Sequence, residues 1–152
     1  MHMTFITLKQ LAHTRGPLLG IDPGTKTFGL SVSDTTRLIA SPVETIRRKK
    51  FTPDAKRIFD LFIERECVAV IVGHPLNMDG THGSRAQSVK DFCINFMALH
   101  DTPIFLWDER LSTAAVTRNM IAADMSRARR AEAVDKLASA YILQGVLDRL
   151  RA

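Results

Sequence analysis

The chain has 152 residues, of which 45% are hydrophobic and 24% are charged, and these values are typical of one globular domain with its own core. Lys and Arg number 21 against 16 Asp and Glu, so the net charge is +5, which is compatible with a polyanionic partner without requiring one. No segment has the roughly 20 apolar residues of a membrane-spanning helix, and the N-terminal segment lacks the pattern of a secretory signal.

The chain is predicted to form a single domain over residues 17–152, preceded by an N-terminal extension over residues 1–16. Cys67 and Cys93 lie in apolar surroundings without metal-ligand spacing. We expect them to be reduced core residues of a cytoplasmic protein.

Three strands are predicted in the first part of the chain. Leu18–Asp22 is typical of a buried strand, and the alternation of Phe28, Leu30 and Val32 predicts a second one. A third, weaker strand over Leu38–Ile46 contains Pro42, which favours an edge position or a bulge. The short connections between these segments favour an antiparallel meander.

Helices and strands alternate in the rest of the predicted chain. Thr52-Pro53 predicts a helix start with Thr52 as its cap. Cys67–Val72 predicts a central strand buried on both faces, and Ile104–Trp107 predicts a shorter strand after another helix. A helix capped by Ser112 and a last helix from about Ala131 to Leu150 complete the order βββαβαβαα. This order predicts an α/β fold with a mixed sheet of three antiparallel strands followed by parallel ones.

Two of the predicted strands end at carboxylates. Asp22 ends the first strand, and Asp108 and Glu109 end the last one. In open α/β sheets, ligands gather at the carboxyl ends of the strands. Because consecutive strand residues point to opposite faces, only one of Asp108 and Glu109 is expected to share a face with Asp22, and the sequence leaves open which one. Asp22 also has a structural alternative, since Asp commonly opens a Pro-Gly turn.

Asp135, in the first turn of the last helix, is the third candidate acid. Taken alone, it is better explained by the helix dipole, an interaction worth about 0.3–1 kcal/mol. Three converging carboxylates would repel one another, and a divalent cation removes that cost. Two Mg²⁺ ions about 3.5–4 Å apart can support phosphodiester cleavage. The basic runs 47–50 and 127–130 would then contact the nucleic-acid backbone, unless they are only solvated loops.

Four segments of the chain together resemble the YqgF family, which is described as Holliday-junction-resolvase-like and as the nuclease that processes the 5′ end of pre-16S ribosomal RNA. They are GIDPGTKTFGLSVSD, IVGHPLNMDGTHGSRAQ, WDERLSTAA and VDKLASAYILQGVLD, and the resemblance covers about residues 18–150. It implies a ribonuclease-H-like fold with a five-stranded mixed sheet flanked by helices. It also implies a metal-dependent endonuclease of the cytoplasm that acts on precursor ribosomal RNA, with precursor ribosomal particles as further partners.

The resemblance also implies the residues of the site. The catalytic acids would be Asp22, Asp108, Glu109 and Asp135, with Asp22, Glu109 and Asp135 as the ligands of Mg²⁺ or Mn²⁺. Substrate contacts would come from Lys26, Asn77, Gly80, Arg85, Arg110, Ser112 and Thr113, although Ser112 is equally suited to cap a helix. The chain departs from the family pattern at Thr27, where an Arg is expected, and at Ser139, where Ala is usual.

Other functions remain open from the sequence. Branched DNA is an alternative substrate, and a non-catalytic module that binds RNA or a ribosomal factor is an alternative function. The turn that follows Asp22 also resembles the phosphate-binding turn of sugar kinases and actin-like ATPases. Those enzymes use two such domains, so this interpretation would need a dimer of the present chain. The sequence itself is compatible with a monomer or a homodimer.

Overall fold

A five-stranded mixed sheet organises the fold in the computed structural model, which describes residues 4–77, 79–111 and 127–152, with the backbone only at residues 111 and 127–133. The elements are α1 (Leu8–Ala12), β1 (Leu18–Pro23), β2 (Thr27–Ser33), β3 (Ala40–Arg47), α2 (Phe51–Glu64), β4 (Ala69–His74), α3 (Ser84–Leu99), β5 (Ile104–Asp108), a 3₁₀ turn (Glu109–Leu111) and α4 (Arg127–Arg151).

The strands lie in the order β3-β2-β1-β4-β5. β1, β2 and β3 pair antiparallel, whereas β1, β4 and β5 run parallel. The predicted mixed sheet is therefore confirmed. The three parallel strands end together at one edge of the sheet, which we call the carboxyl edge.

The two faces of the sheet are covered by different helices. Leu19 and Ile21 of β1 belong to the larger core cluster, together with apolar residues of α2 and α3. Leu18 belongs to the second cluster, which contains residues of α4 and α1. Because side chains alternate along a strand, Gly20 and Asp22 point to the same face as Leu18, namely the face covered by α4.

Close packing fixes α4 against this face. A Cβ atom added to Gly29 of β2 would collide with the backbone carbonyl of Asp135 and lie 3.0 Å from the amide nitrogen of Lys136. The buried hydroxyls of Ser31 and Ser139 form a hydrogen bond of 2.8 Å between β2 and α4. The backbone of α4 therefore lies almost directly on the strand next to β1.

The third strand starts later than predicted. β3 begins at Ala40, and Leu38 and Ile39 before it are 52% and 64% exposed, so they belong to the turn rather than to the sheet. The prediction from Pro42 is confirmed, because β3 is an edge strand and its register with β2 shifts beside Pro42. An edge position tolerates a residue that has no N–H to donate.

The predicted cap at Thr52 is wrong. The capping position of α2 lies two residues earlier, at Lys50, which makes no side-chain capping bond, and the helix begins at Phe51. Asp54, in the first turn, accepts a hydrogen bond of 3.0 Å from the backbone N–H of Lys49. A carboxylate in the first turn also interacts favourably with the helix dipole, so the helix can start without a hydroxyl cap.

The segment before β1 packs onto the domain. The backbone N–H of Ile6 donates to the carbonyl of Ile104 over 2.9 Å, and Leu11 of α1 is fully buried in the second core cluster. The predicted helix that starts at Ser112 lies outside the described residues, and α4 begins at Arg127, earlier than expected. No helix within the described ranges combines the length and the apolar composition of a membrane-spanning segment.

Both cysteines are free thiols in the core, as expected. Burial raises the pKa of Cys67 to about 11 and that of Cys93 to about 12. Both thiols are therefore protonated near neutral pH and are poor nucleophiles.

Candidate active site

Asp22 lies at the carboxyl edge near the end of β1. It is only 8% exposed and pairs across the antiparallel ladder with Gly29 of β2. On the other side, Ile21 pairs with Val72 of β4, so the residue after Val72, which is Gly73, lies beside Asp22. The carboxylate is therefore flanked by two glycine positions on the face of the sheet that α4 covers.

Glu109 lies over Gly73. A Cβ atom added to Gly73 would be 3.2 Å from Cγ and 3.3 Å from the carboxyl carbon of Glu109. The same Cβ atom would be 3.0 Å from Cδ1 of Ile142 in α4, so the side chain of Glu109 lies on the α4 face. Of the two acids that follow β5, Glu109 is therefore the one that shares a face with Asp22.

Asp108 points the other way. Trp107 packs in the cluster with α4, and Asp108, the next residue of β5, pairs in register with His74. Its carboxylate accepts hydrogen bonds from Nε of Arg110 at 3.0 and 3.1 Å and from Nη2 at 2.6 Å. The Arg110 guanidinium holds the pKa of Asp108 below its usual value. Asp108 is therefore engaged by Arg110 rather than directed toward Asp22.

Asp135 lies over β2, on the other side of Asp22. Its backbone carbonyl packs against Gly29, and its carboxylate oxygen Oδ2 accepts a short hydrogen bond from the hydroxyl of Thr27. Thr27 is the first residue of β2. In this chain a neutral donor, rather than a cation, therefore holds the carboxylate of the helix acid.

Three acids are thus arranged in a row along the carboxyl edge. Glu109 lies over β4, Asp22 lies on β1 and Asp135 lies over β2, all on the α4 face, and neighbouring strands are about 4.8 Å apart. Among the residues that the structure describes, no three His, Cys, Asp or Glu side chains come close enough to hold a metal ion together. The row brings hard oxygen donors to one face of the sheet, but the side chains of the three acids do not converge on one point.

The loop after β4 contacts Arg110. The backbone N–H of Gly80 donates to the carbonyl of Asn77 over 2.8 Å, and Gly80 has a positive φ of 87°, a conformation that favours glycine. A Cβ atom at Gly80 would be 3.3 Å from Nη1 of Arg110. The side-chain amide of Asn77 donates to Thr81 within the loop. The predicted substrate contacts Asn77, Gly80 and Arg110 therefore form one exposed group beside Asp108.

Cations surround the turn that follows Asp22. Arg85 of α3 donates a short hydrogen bond to the carbonyl of Pro23, and Arg48 donates to the carbonyl of Gly24 over 2.7 Å. The Arg48 guanidinium also lies 4.5 Å from the ring centroid of Phe28. Lys26 is exposed on the same turn, and its carbonyl accepts from the backbone N–H of Arg48. The predicted contacts Lys26 and Arg85 therefore lie next to the acid row.

Two residues near the site were not predicted from the sequence. The sequence pattern marks Thr27 only as a departure from the family resemblance and Arg48 only as part of a basic run. Nothing local in the sequence indicates that their partners are Asp135 and the Gly24 carbonyl. Ser112 and Thr113 lie outside the described residues, as do the side chains of the basic run at 127–130.

Comparisons with known proteins identify the chain's relatives. The family profile described as RuvX: Holliday junction resolvase matches residues 16–149. A protein of Beijerinckia indica subsp. indica is 55% identical over 148 residues, which is 97% of this chain and 90% of the relative, and it is named "Putative pre-16S rRNA nuclease". A protein of the same name from Phenylobacterium zucineum is 53% identical, over 96% of this chain and 95% of the relative. Another, from Methylocella silvestris, is 57% identical, over 90% of this chain and 85% of the relative.

Solved structures show the same fold. Thermus thermophilus RuvC, in complex with a Holliday junction substrate, superposes with a TM-score of 0.55 at 16% identity, covering 90% of this chain and 97% of RuvC. A second structure of the same protein has a TM-score of 0.53 at 15% identity, covering 89% of this chain and 96% of that chain. The predicted ribonuclease-H-like architecture is confirmed by these neighbours.

Proposed function

This chain belongs to the RuvX Holliday junction resolvase family, and from that premise we propose that it is a metal-dependent endonuclease that hydrolyses phosphodiesters of nucleic acid. One observation carries the proposal, namely the row of Glu109, Asp22 and Asp135 on a single face at the carboxyl edge. Three elements that are distant in sequence contribute one acid each, and the glycines beside Asp22 leave room for the other two.

The proposed ligands of Mg²⁺ or Mn²⁺ are Asp22, Glu109 and Asp135. Their carboxylates are the hard oxygen donors that these ions prefer, and the burial of Asp22 gives one of them a fixed position. Without a cation the three negative charges repel one another. We therefore expect the three carboxylates to come together only when the ion is bound. When bound, the ion supplies a polarised water and positive charge at the phosphate.

The neighbouring cations are proposed to orient the substrate. Lys26, Arg48 and Arg85 surround the turn after Asp22, so a phosphate backbone passing over this turn would be held beside the acid row. Arg110 and the loop at Gly80 contact the substrate from the other face of β5 in this proposal. Because such contacts release counterions, substrate binding should weaken as salt rises.

Precursor ribosomal RNA is the proposed substrate, in the cytoplasm, with precursor ribosomal particles as its source. The names of the relatives that cover most of the chain support this choice. The description of the family favours branched DNA as the second candidate. Since either substrate presents the same phosphodiester to the acids, the choice between them has to come from comparing substrates.

The experiment compares cleavage of a 5′-extended 16S precursor RNA and of a four-way DNA junction, with Mg²⁺ or Mn²⁺. Asp22→Asn removes a charge but little volume, and we expect it to lower the cleavage rate by at least about 100-fold, because a ligand of the ion is lost. Asp60→Asn, on the exposed surface of α2, is the control and should cleave like the wild type.

The outcomes separate the alternatives. Faster cleavage of the RNA than of the junction supports the proposed substrate, and the reverse supports branched DNA. Equal rates for Asp22→Asn and the wild type would contradict the role of Asp22. If no protein cleaves but all bind RNA equally, the chain is a binding module.

A further inference from the structure

A pocket of about 560 Å³ lies away from the carboxyl edge, at the end of the sheet where β1 begins. The segment after α1, the turn between β2 and β3 and the end of α4 meet there. Its polar lining consists of Arg15, Arg37, Arg151, Thr14, Thr35 and Thr36. None of these residues belongs to the candidate active site, and no acid is among the described residues that line the pocket.

Arg37 is held in this pocket by three hydrogen bonds from its guanidinium, and its backbone has a positive φ. Its backbone has a positive φ of 60°, which disfavours residues other than glycine by roughly 1 kcal/mol. Its guanidinium donates to the carbonyl of Gly16 at 2.8 Å, to that of Leu11 at 3.1 Å and to the hydroxyl of Thr14 at 2.8 Å. A guanidinium has five N–H groups, so two of them remain for another acceptor.

Positive charge accumulates around Arg37. Its pKa is lowered, first by burial and then by repulsion from Arg15. Among the described ion pairs, neither Arg37 nor Arg15 has an acidic partner. Arg151 pairs with Asp148 at 2.6 Å and also donates to the carbonyl of Arg37 at 3.0 Å.

The nearest acid in sequence does not neutralise this cluster. The carboxylate of Asp34 accepts hydrogen bonds from the backbone N–H groups of Thr36, Leu38 and Ile39. The hydrogen bond from the backbone N–H of Ile39, followed by the one from the hydroxyl of Thr36, lowers the pKa of Asp34 to about 2. Asp34 therefore shapes the β2–β3 turn, and no ion pair joins it to Arg37 among the described residues.

We propose that this pocket binds a phosphate group through Arg15, Arg37 and the hydroxyl of Thr35. Arginine forks and hydroxyl donors match the oxygens of a phosphate, and the fixed position of Arg37 lowers the entropic cost of binding. The group comes either from free phosphate or from the backbone of a nucleic acid. The proposal is independent of the nuclease function, because it involves neither the acid row nor a metal ion.

The test exploits Arg15, which is exposed and makes none of the bonds that anchor Arg37. Arg15→Ala is compared with Arg65→Ala, an exposed arginine outside the lining. Binding of inorganic phosphate is measured by calorimetry, without divalent metal and in the Asp22→Asn background as well. We expect Arg15→Ala to weaken binding at least about fivefold, the loss of one charge-assisted contact, and Arg65→Ala to leave it unchanged.

A second arm identifies the source of the phosphate. Binding of a single-stranded RNA is measured over a range of salt concentrations. If the pocket contacts the nucleic-acid backbone, the logarithm of the RNA affinity should fall less steeply with the logarithm of the salt concentration for Arg15→Ala than for the wild type. The slopes should differ by about one, which corresponds to one lost phosphate contact. If the ligand is free phosphate, RNA binding by Arg15→Ala should match the wild type while phosphate binding falls.

Two results would overturn the proposal. One is equal phosphate binding by Arg15→Ala and the wild type, and the other is the absence of wild-type binding at millimolar phosphate. Either would leave Arg37 as a purely structural link between α1 and the β2–β3 turn. Loss of cleavage by Asp22→Asn with intact phosphate binding would support both proposals separately.

Discussion

Thr27 shows how one residue can prepare the candidate site. Its hydroxyl donates to the carboxylate of Asp135, the acid that α4 contributes to the row. A hydrogen bond from a neutral donor orients a carboxylate without neutralising it, so the negative charge stays available to a cation. Partners of this kind typically change metal affinity about 10- to 100-fold when they are lost.

We therefore expect Thr27→Val to weaken Mn²⁺ binding at least about 10-fold, because the carboxylate loses its orienting donor. Thr27→Ser keeps the hydroxyl and serves as the matched control, with affinity near that of the wild type. Calorimetric titration with Mn²⁺ measures both variants without relying on cleavage. Equal affinities for the Val and Ser variants would show that the hydrogen bond has no part in the site.

The sequence predicted individual acids better than their partners. Asp22 and Asp135 were identified through motifs, and both lie in the row. The choice between Asp108 and Glu109 depended on where β5 stops and the 3₁₀ turn begins, a boundary that alternation alone does not set. The contact of Thr27 with Asp135 depends on tertiary packing between residues that are 108 positions apart.

At the scale of elements, the packing of α4 on β2 determines where Asp135 lies. Gly29 permits the approach, because any Cβ atom there would collide with the Asp135 carbonyl. The buried hydrogen bond between Ser31 and Ser139 fixes the same contact one turn further along α4. The hydroxyl of Ser139 is buried in this contact, and Ser31 supplies the hydrogen-bond partner that it needs.

We expect Gly29→Ala to lower the free energy of unfolding by about 2–4 kcal/mol, since α4 has to move away from the sheet. Gly145→Ala is the matched control in α4, where the added Cβ atom would lie at an ordinary 3.7 Å from the Trp107 ring. That variant should be neutral or stabilised by up to about 1 kcal/mol, because Ala favours a helix over Gly. Urea unfolding measures both.

A result in which Gly29→Ala is as stable as Gly145→Ala would show that the contact between β2 and α4 is looser than the structure indicates.

Helices and strands were predictable from the sequence because the spacing of apolar residues reflects which face of each element is buried. The continuous apolar run of β4 and the alternation in β2 indicate two strands, and these strands lie on either side of β1 inside the sheet. The start of α2 was not predicted correctly, because the capping position is Lys50, which makes no side-chain capping bond, and Thr52 lies within the helix. A helix that begins without a side-chain cap has no capping residue in its sequence to mark the start.

At the scale of the whole molecule, charge is divided between the two ends of the sheet. Acids flanked by Lys26, Arg48 and Arg85 lie at the carboxyl edge, and the pocket with Arg15 and Arg37 lies at the other end. The net charge of +5 therefore includes two localised basic regions rather than a uniform excess. The composition predicted the sign of the charge, whereas only the fold shows this separation.

The most direct test of the account is a crystal structure with Mn²⁺, read from its anomalous signal. The central claim is that three acids from separate elements coordinate one cation, namely Asp22, Glu109 and Asp135. We predict an anomalous peak within coordination distance of Asp22, Glu109 and Asp135, and we predict that the Asp22→Asn variant lacks this peak. A fully occupied Mn²⁺ site elsewhere, or no peak at the acid row at saturating Mn²⁺, would contradict the claim.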